Sequence, residues 1–377
     1  MLHITTGLRN GGAEAVLFGL VTEDARDDTH QVVSLTDAGF YGEPLQLAGL
    51  PVHTLQLRRG GITVAAMLRL YRLIRSARAD RVQTWMYHAN LVGGVLARLA
   101  GTRVIWSIHH SDLDPAKVSF GTRVVARTCA WLSPFIPERV IYCSRKAADV
   151  HLRLGYSAGS AVVVNNGVDI QRFEPDARAR ARVRAEWHVA EDEVLLGMVA
   201  RWDPLKDHAT LLAALGGTDA RLPAGCRLVL VGPGMDGSNA ELAALVERHG
   251  VRDRVLLVGA RSDVQAVMNA LDLHLLSSSG EAFGNVSIEA MACGVPAIVT
   301  ATGAGADIVG DTGWVVPVGD PDSLGEAVLT AIESMADRDQ WRARQAACRA
   351  RVVEHFSLKR MVEGYRQVWY DSTASGA

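Results

Sequence analysis

The stretch LDLHLLSSSGEAFGNVSIEAMACGVPAIVT, residues 271–300, holds a complete strand, turn, helix and second strand. The apolar run at 271–275 reads as a buried strand, and residues 280–284 form a glycine-bounded turn. From Asn285 the apolar positions take helical spacing until Gly294 stops the helix, and the run at 297–300 opens the next strand. A strand, a crossover helix and a strand in so short a span make a parallel pair.

The same alternation runs along the whole chain. Strands are expected near 2–5, 31–35, 52–55, 81–84, 103–107 and 139–143, with helices at 13–20, 62–77, 90–100, 121–132 and 146–154. The pattern then restarts, with strands at 194–199, 227–231, 255–258, 271–275, 297–300 and 313–316. The fold class is therefore α/β, two Rossmann-like doubly wound units in tandem. A length of 377 residues also exceeds what one hydrophobic core usually holds. The boundary falls near Gly167, in the turn-forming NNG of VVNNGVDIQRFEP, giving domains of 1–167 and 168–358. After the second unit is complete, residues 359–377 carry an apolar stripe of Met361, Tyr365, Val368 and Trp369 that needs a partner surface.

Composition narrows the function classes. With 49% hydrophobic and 21% charged residues and a formal charge of -2, nothing draws the chain as a whole to nucleic acid, and no nucleic-acid partner is expected. The five cysteines, Cys129, Cys143, Cys226, Cys293 and Cys348, lack a C-x-x-C pair and read as reduced, buried thiols of a cytoplasmic protein. The N-terminus runs straight into a strand without a signal-peptide pattern, and no apolar run approaches the ~20 residues that cross a bilayer.

In open α/β sheets ligands bind at the carboxyl ends of the strands, so the strand-to-helix turns carry the candidates. Gly7, Gly11 and Gly12 in TTGLRNGGAEAVL precede a helix whose positive end favours an anion, although the same glycines suit a plain tight turn. Glu281 lies in the turn before the 285–293 helix, and Glu289 lies roughly 6 Å along its axis at ~1.5 Å per residue. Two carboxylates so placed would grip separate hydroxyl-bearing parts of one elongated ligand, with the amides of Phe283, Gly284, Asn285 and Val286 left for an anion between them. As plain surface residues, Glu281 would complement the helix dipole and Glu289 would be solvated. Arg201 and Lys206, in VARWDPLKD, put two cations at another strand end, a pair suited to neutralising a leaving diphosphate or simply a charged loop.

Taken together, these segments resemble the retaining glycosyltransferases of family 4, with their E-x7-E signature in GEAFGNVSIEAMACGVP. NGGAE at 10–14, NNGVDIQRF, VARWDPLKD, LVGPG at 230–234, GDTGWVVPVGDP at 310–321 and HFS at 355–357 follow in the family's order. The resemblance implies the GT-B architecture, two Rossmann-like domains facing across a cleft, with the final helix crossing back onto the N-terminal domain. It implies that Arg201 and Lys206 hold the donor diphosphate, that Glu289 takes the ribose hydroxyls, and that Glu281 with Ala282 to Asn285 holds the donor sugar. Gly11, Gly12, Gly232, Arg261 and Val286 complete the expected donor contacts. Many relatives carry a histidine near the donor sugar; of His109 and His110 we favour His110, because neighbouring strand side chains point to opposite faces. His109, together with His88 and Asn90 in TWMYHANLVGG, is then an acceptor candidate, or else a packed polar residue.

The expected reaction is a retaining transfer of a hexose-type sugar from a nucleotide-diphosphate sugar, UDP-sugar first and GDP-mannose next, to a glycan or lipid-linked hydroxyl acceptor. No cofactor or metal is expected, since Arg201, Lys206 and a helix N-terminus already face the phosphates, although Asp112 with Asp114 and Asp320 with Asp322 match D-x-D. A sugar-nucleotide hydrolase or epimerase, and a non-catalytic binding subunit, are the competing readings. MLRLYRLIRSARADR sets Met67, Leu68, Tyr71 and Ile74 beside Arg69, Arg72, Arg75 and Arg78, and VVARTCAWLSPFIPER adds Trp131 and Phe135. That face suits peripheral contact with the inner membrane leaflet, or is a solvated crossover helix.

Overall fold

The computed structural model describes residues 1–370 apart from 26–28, 58–60, 62, 116–117, 217–222 and 224. The expected helix start at Ile62 and residues 371–377 of the expected last segment lie outside the described residues.

Two compact units form, one from Met1–Gly167 with the segment from Leu358 onward, the other from Val168–Ser357. The first contains β1 (Leu2–Thr5), α1 (Gly12–Asp24), β2 (Gln31–Ser34), α2 (Gly42–Leu47), β3 (Val52–Thr54), α3 (Val64–Ala77) and β4 (Arg81–Trp85). It continues with α4 (Met86–Leu99), β5 (Arg103–Ile108), α5 (Phe120–Leu132), β6 (Arg139–Tyr142), α6 (Arg145–Leu154) and β7 (Ala161–Val163). The second holds α7 (Ala177–Glu186), β8 (Val194–Val199), α8 (His208–Leu215), β9 (Cys226–Val231), α9 (Ala240–Arg248), β10 (Val255–Gly259) and α10 (Val264–Ala270). Then come β11 (Leu273–Leu276), α11 (Asn285–Ala292), β12 (Ala297–Thr300), α12 (Gly305–Val309), β13 (Trp314–Val316), α13 (Pro321–Ser334) and α14 (Arg338–His355). The last helix, α15 (Leu358–Tyr370), belongs to the first unit.

Both sheets are parallel throughout, ordered β3-β2-β1-β4-β5-β6-β7 and β10-β9-β8-β11-β12-β13. In each, the strand order reverses between neighbours, β1 beside β4 and β8 beside β11. The helices leaving such a pair diverge to opposite faces and open a crevice at the strands' carboxyl ends. β7 and α2 escape the sequence pattern because each is short, and α4 starts four residues before the expected 90.

α15 closes the first unit's core. Met361, Tyr365 and Trp369 are buried with Leu17, Leu20, Trp85 and Ile105, while Val368 packs at the margin. A buried polar chain fastens it. Trp85 Nε1 donates to His3 Nδ1 at 3.3 Å, so His3 Nε2 carries the hydrogen donated to His30 Nδ1 at 2.9 Å. His30 Nε2 in turn donates to Asp24 Oδ2 at 2.8 Å, and Arg366 on α15 grips the other carboxylate oxygen. All five cysteines are free and buried. Among the described residues no helix is long and apolar enough to cross a membrane.

Burial keeps several histidines neutral. It pulls His109, His151 and His208 down to about 4 and His274 to about 3, and His3 lies well below its ordinary value. The unfolded chain protonates these rings near pH ~6.5, while the folded one refuses the proton until far lower pH. Stability conferred by the neutral rings is thus complete above pH ~6.5 and falls as pH drops toward about 4. Calorimetry across this range is expected to show a steep loss of Tm below pH ~6.5; a flat profile would contradict the burial of these rings.

Candidate functional site

The reversal between β8 and β11 brings two loops together. After β8, Asp203 caps the 3-10 turn Pro204–Lys206 by accepting from the Leu205 amide at 2.9 Å. Asp207, in left-handed conformation, caps α8 by accepting from the Thr210 amide at 3.1 Å and hydroxyl at 2.7 Å. These caps fix Lys206 between them. After β11, the Ser277 hydroxyl donates to the carbonyls of Lys206 and Asp207, each at 3.0 Å, and the Ser279 amide to Leu205 at 2.8 Å. The loops are therefore sewn together through their backbones.

Across this seam Lys206 Nζ pairs closely with Glu281 Oε1, to which Ser278 Oγ also donates at 2.7 Å. Gly303, at φ +52°, backs the Glu281 main chain so closely that a Cβ there would lie 2.6 Å from the Glu281 carbonyl oxygen. Arg201 grips Asp203 through Nε and Nη2, both at 2.9 Å, while its side chain stays 57% exposed. One cation is thus held by the site carboxylate and the other faces solvent on a short tether.

Glu289 lies within α11, whose N-cap Gly284 is left-handed at φ +104°, a conformation that lets the chain turn sharply into the helix. Phe283, edge-to-face against Phe356 at 5.9 Å, anchors that turn, with Ala282, Asn285 and Val286 partly exposed around it. No described residue hydrogen-bonds the Glu289 carboxyl. Burial pushes it up to about 7, against the opposing charge of Arg172. The Ser287 hydroxyl in the same helix's first turn is buried and without a partner among the described residues.

Two expected donor contacts already carry bonds within the unit. Arg261 is locked between Asp263 at 2.8 Å and Glu186 at 2.5 Å, which holds its guanidinium firmly charged. The Gly232 amide donates to the Gly259 carbonyl at 2.8 Å, tying the end of β9 to β10. In the first unit, Gly11 is the N-cap of α1 and Gly12 its first residue, and the Glu14 carboxylate folds back against Gly11, putting a negative charge at the helix N-terminus.

The two histidines after β5 do point apart. His109 stacks on Trp85 at 5.2 Å, and its Nε2 lies 2.9 Å from Ser107 Oγ and 3.4 Å from Tyr365 Oη. His110 turns toward Tyr87, whose hydroxyl lies 3.4 Å from Nδ1. Asn90 requires a correction: it is fully buried and braces the β4-to-α4 turn, its amide lying against the Thr84 hydroxyl at 2.7 Å, so it does not face an acceptor. With its amide nitrogen turned toward that strand end, it donates to the carbonyls of Thr84 at 3.1 Å and Met86 at 3.2 Å. His88 is half-buried, and burial lowers its basicity. Of the D-x-D pairs, Asp320 caps α13 through the Ser323 amide at 3.0 Å and Asp112 accepts from the Asp114 amide at 2.9 Å. No metal-binding cluster forms among the described residues.

Sequence reasoning missed Ser277, Ser278, Asp203, Gly303 and Arg172. The serine run at the end of β11 was a signal for two of them, since hydroxyls at a strand's carboxyl end face the crevice.

Residues 10–172 match the model of Glycosyltransferase Family 4, and residues 193–334 that of Glycosyl transferases group 1. An N-acetyl-alpha-D-glucosaminyl L-malate synthase of Bacillus anthracis is 31% identical over 52% of this chain and 50% of its own length. A D-inositol 3-phosphate glycosyltransferase of Saccharomonospora viridis is 31% identical over 63% of this chain and 56% of its own. The chain thus spans about half the length of these curated relatives. The crystal structure of Anabaena Alr3699/HepE in complex with UDP superposes with a TM-score of 0.86 at 22% identity, covering 98% of this chain and 99% of that one. WaaG, a glycosyltransferase involved in lipopolysaccharide biosynthesis, gives 0.72 at 18% over the whole of both chains. These likenesses establish a GT-B fold.

Glu289 predicts a trade of stability against binding. Its carboxyl keeps a proton in the folded state up to about pH 7, whereas in the unfolded chain it ionises near ~4.3. Ionisation of the buried group therefore lowers stability as pH rises through that window, opposite in sign to the histidines. Glu289→Gln is expected to melt higher than the parent at pH 8 and at nearly the same temperature at pH 4.5. An equal difference at both pH values would refute the assignment.

Proposed function

We infer that this chain, which belongs to the family 4 glycosyltransferases, transfers a hexose-type sugar from a nucleotide-diphosphate sugar to a hydroxyl acceptor with retention of configuration. UDP is the favoured nucleotide, consistent with the UDP and UDP-glucose complexes formed by Anabaena Alr3699/HepE, and GDP-mannose is the next candidate.

The observation that carries this reading is the contrast between the two carboxylates. Glu281 is already engaged by Lys206 and Ser278, whereas Glu289 is part-buried with no hydrogen-bond donor among the described residues. A carboxylate left in that state is stabilised by ligand hydroxyls, and a ribose supplies two side by side. Glu289 therefore takes the ribose, and Lys206, Arg201 and the N-terminus of α11 take the diphosphate. Glu281 holds Lys206 in place and meets the sugar. As the bond from the anomeric carbon to the phosphate oxygen breaks, the positive groups stabilise the charge gathering on the leaving diphosphate. The acceptor oxygen bonds to the same face and its proton passes to a departing phosphate oxygen. This chemistry draws on no metal, because the cations are supplied by side chains.

A lipid-linked acceptor in cell-surface glycoconjugate synthesis would bring the first unit to the inner membrane leaflet, and a face is available. Of the expected α3 stripe Ile74 is buried, Met67 and Tyr71 are half-buried and Leu68 is exposed. α5 offers more: Phe120 is 75% and Trp131 72% exposed, followed by Phe135, and the Arg123 guanidinium lies over the Phe120 ring. Aromatic and basic side chains mixed in this way suit an anionic headgroup layer. The protein is expected to sediment with anionic vesicles at low salt and to lose that binding on Phe120→Ser with Trp131→Ser. Failure of the parent to sediment removes the membrane contact from the proposal.

The activity is tested by thermal shift and transfer assays. Saturating UDP, at about 100 times its Kd, adds about 2.7 kcal/mol to folding stability and raises Tm. Glu289→Gln is expected to abolish most of that shift. Glu281→Gln should keep it while lowering turnover roughly hundredfold. No shift with any nucleoside diphosphate, or release of free sugar without transfer, would overturn the reading.

A further inference from the structure

The first unit contains a polar chain that the proposed chemistry does not yet use. β4 passes into α4 without a loop, through Met86 at φ +70°, a conformation rare for a residue with a side chain. Asn90 and Thr84 brace that turn from beneath. Its effect is to send Tyr87 inward, where the phenol is 2% exposed and its hydroxyl lies 2.7 Å from Nε2 of His151 on α6.

The hydrogens along this chain follow by elimination. His151 Nδ1 lies 2.7 Å from the carbonyl of Ala147, one turn earlier in α6, and a carbonyl oxygen only accepts. His151 therefore carries its hydrogen on Nδ1. Fully buried, it is neutral, so Nε2 is a lone pair. The single Tyr87 hydrogen is consequently committed to His151, and the phenol oxygen can only accept from its other neighbour. That neighbour is His110 Nδ1, at 3.4 Å. His110 is thus the Nδ1–H tautomer, and its Nε2, which no described residue hydrogen-bonds, presents a lone pair.

We propose that Tyr87 and His151 are positioning residues: the series Ala147 carbonyl, His151, Tyr87 fixes His110 in the tautomer whose Nε2 accepts a hydrogen bond from a substrate hydroxyl. This deepens the glycosyltransferase reading and rests on it for the identity of the substrate. A hydroxyl brings a hydrogen to the Nε2 lone pair, whereas a carboxylate at the same place would set acceptor against acceptor. The relay thereby selects for neutral hydroxyl-bearing sugar at this position. Asp112, whose charge also bears on His110, is the acidic group nearby and favours the protonated ring. Burial outweighs that charge and lowers the basicity of His110, keeping the ring in the neutral form whose tautomer Tyr87 sets.

Long-range proton–nitrogen correlation spectra of protein with labelled histidine read the tautomers directly, without substrate. At pH 8 the ligand-free parent is expected to show both His110 and His151 protonated at Nδ1, and Tyr87→Phe to return His110 to the ordinary Nε2–H form while His151 is unchanged. Tyr87→Phe should also lower kcat/KM for UDP-glucose roughly tenfold, the loss of one oriented hydrogen bond, with the UDP-induced rise in Tm intact. His110 protonated at Nε2 in the parent overturns the proposal, and since that spectrum needs no variant, misfolding of Tyr87→Phe cannot shield it. The expected tautomers in a protein that transfers no sugar leave the relay standing and strike the functional reading instead.

Discussion

The pairing of Lys206 with Glu281 is the constraint around which the second unit's candidate site is arranged. The two charges come from loops that follow different strands, and only the reversal of order between β8 and β11 makes those loops neighbours. Once adjacent, they are stitched by Ser277 and Ser279 through main-chain bonds, so the ion pair does not have to hold the loops together. It is free to act as a local charge balance. A lysine in this setting is neutralised without being consumed, because its ammonium has three hydrogens and the carboxylate takes one.

The first unit solves a different problem, that of burying histidines. His3 and His151 each sit in a ladder of oriented donors and acceptors, the first ending at the Asp24 carboxylate and the second at the Ala147 carbonyl. Buried polar groups are tolerated when satisfied. Where the ladder stops short the exception stands out: His274 in β11 has both ring nitrogens buried and without a partner among the described residues, and nothing in the structure explains why an aliphatic residue does not occupy that place.

Much of this was legible in the amino-acid sequence. The period of the apolar residues marks nearly every strand, because a parallel strand buried on both faces leaves an uninterrupted run such as LVLV. Strand-end turns located Glu281, Glu289, Arg201 and Lys206. What the pattern could not convey was the direction and employment of polar side chains. Asn90 and Arg261 are of the residue types that bind ligands, yet one braces a turn and the other is saturated by two carboxylates. Those outcomes depend on how the backbone folds around each residue, bringing Thr84 against Asn90 and the distant Glu186 against Arg261. The early start of α4 was illegible for a related reason: Met86 adopts a left-handed backbone that its own side chain disfavours, and only the packed surroundings impose it.

The path of α15 has a consequence for how the protein is made. Val168 and Ser357 pair at the base of the second unit, where the Val168 amide also donates to the Phe356 carbonyl at 2.9 Å. The second unit is therefore closed on itself once Ser357 has been synthesised. The first unit lacks Tyr365 and Trp369 from its core until α15 has been synthesised, after the whole of the second unit. During synthesis residues 1–167 therefore precede the second unit yet wait for α15, with Leu17, Leu20 and Trp85 lacking the side chains that cover them. Nascent chains are in that interval most exposed to aggregation and to chaperones, and disruption of α15 would extend it indefinitely.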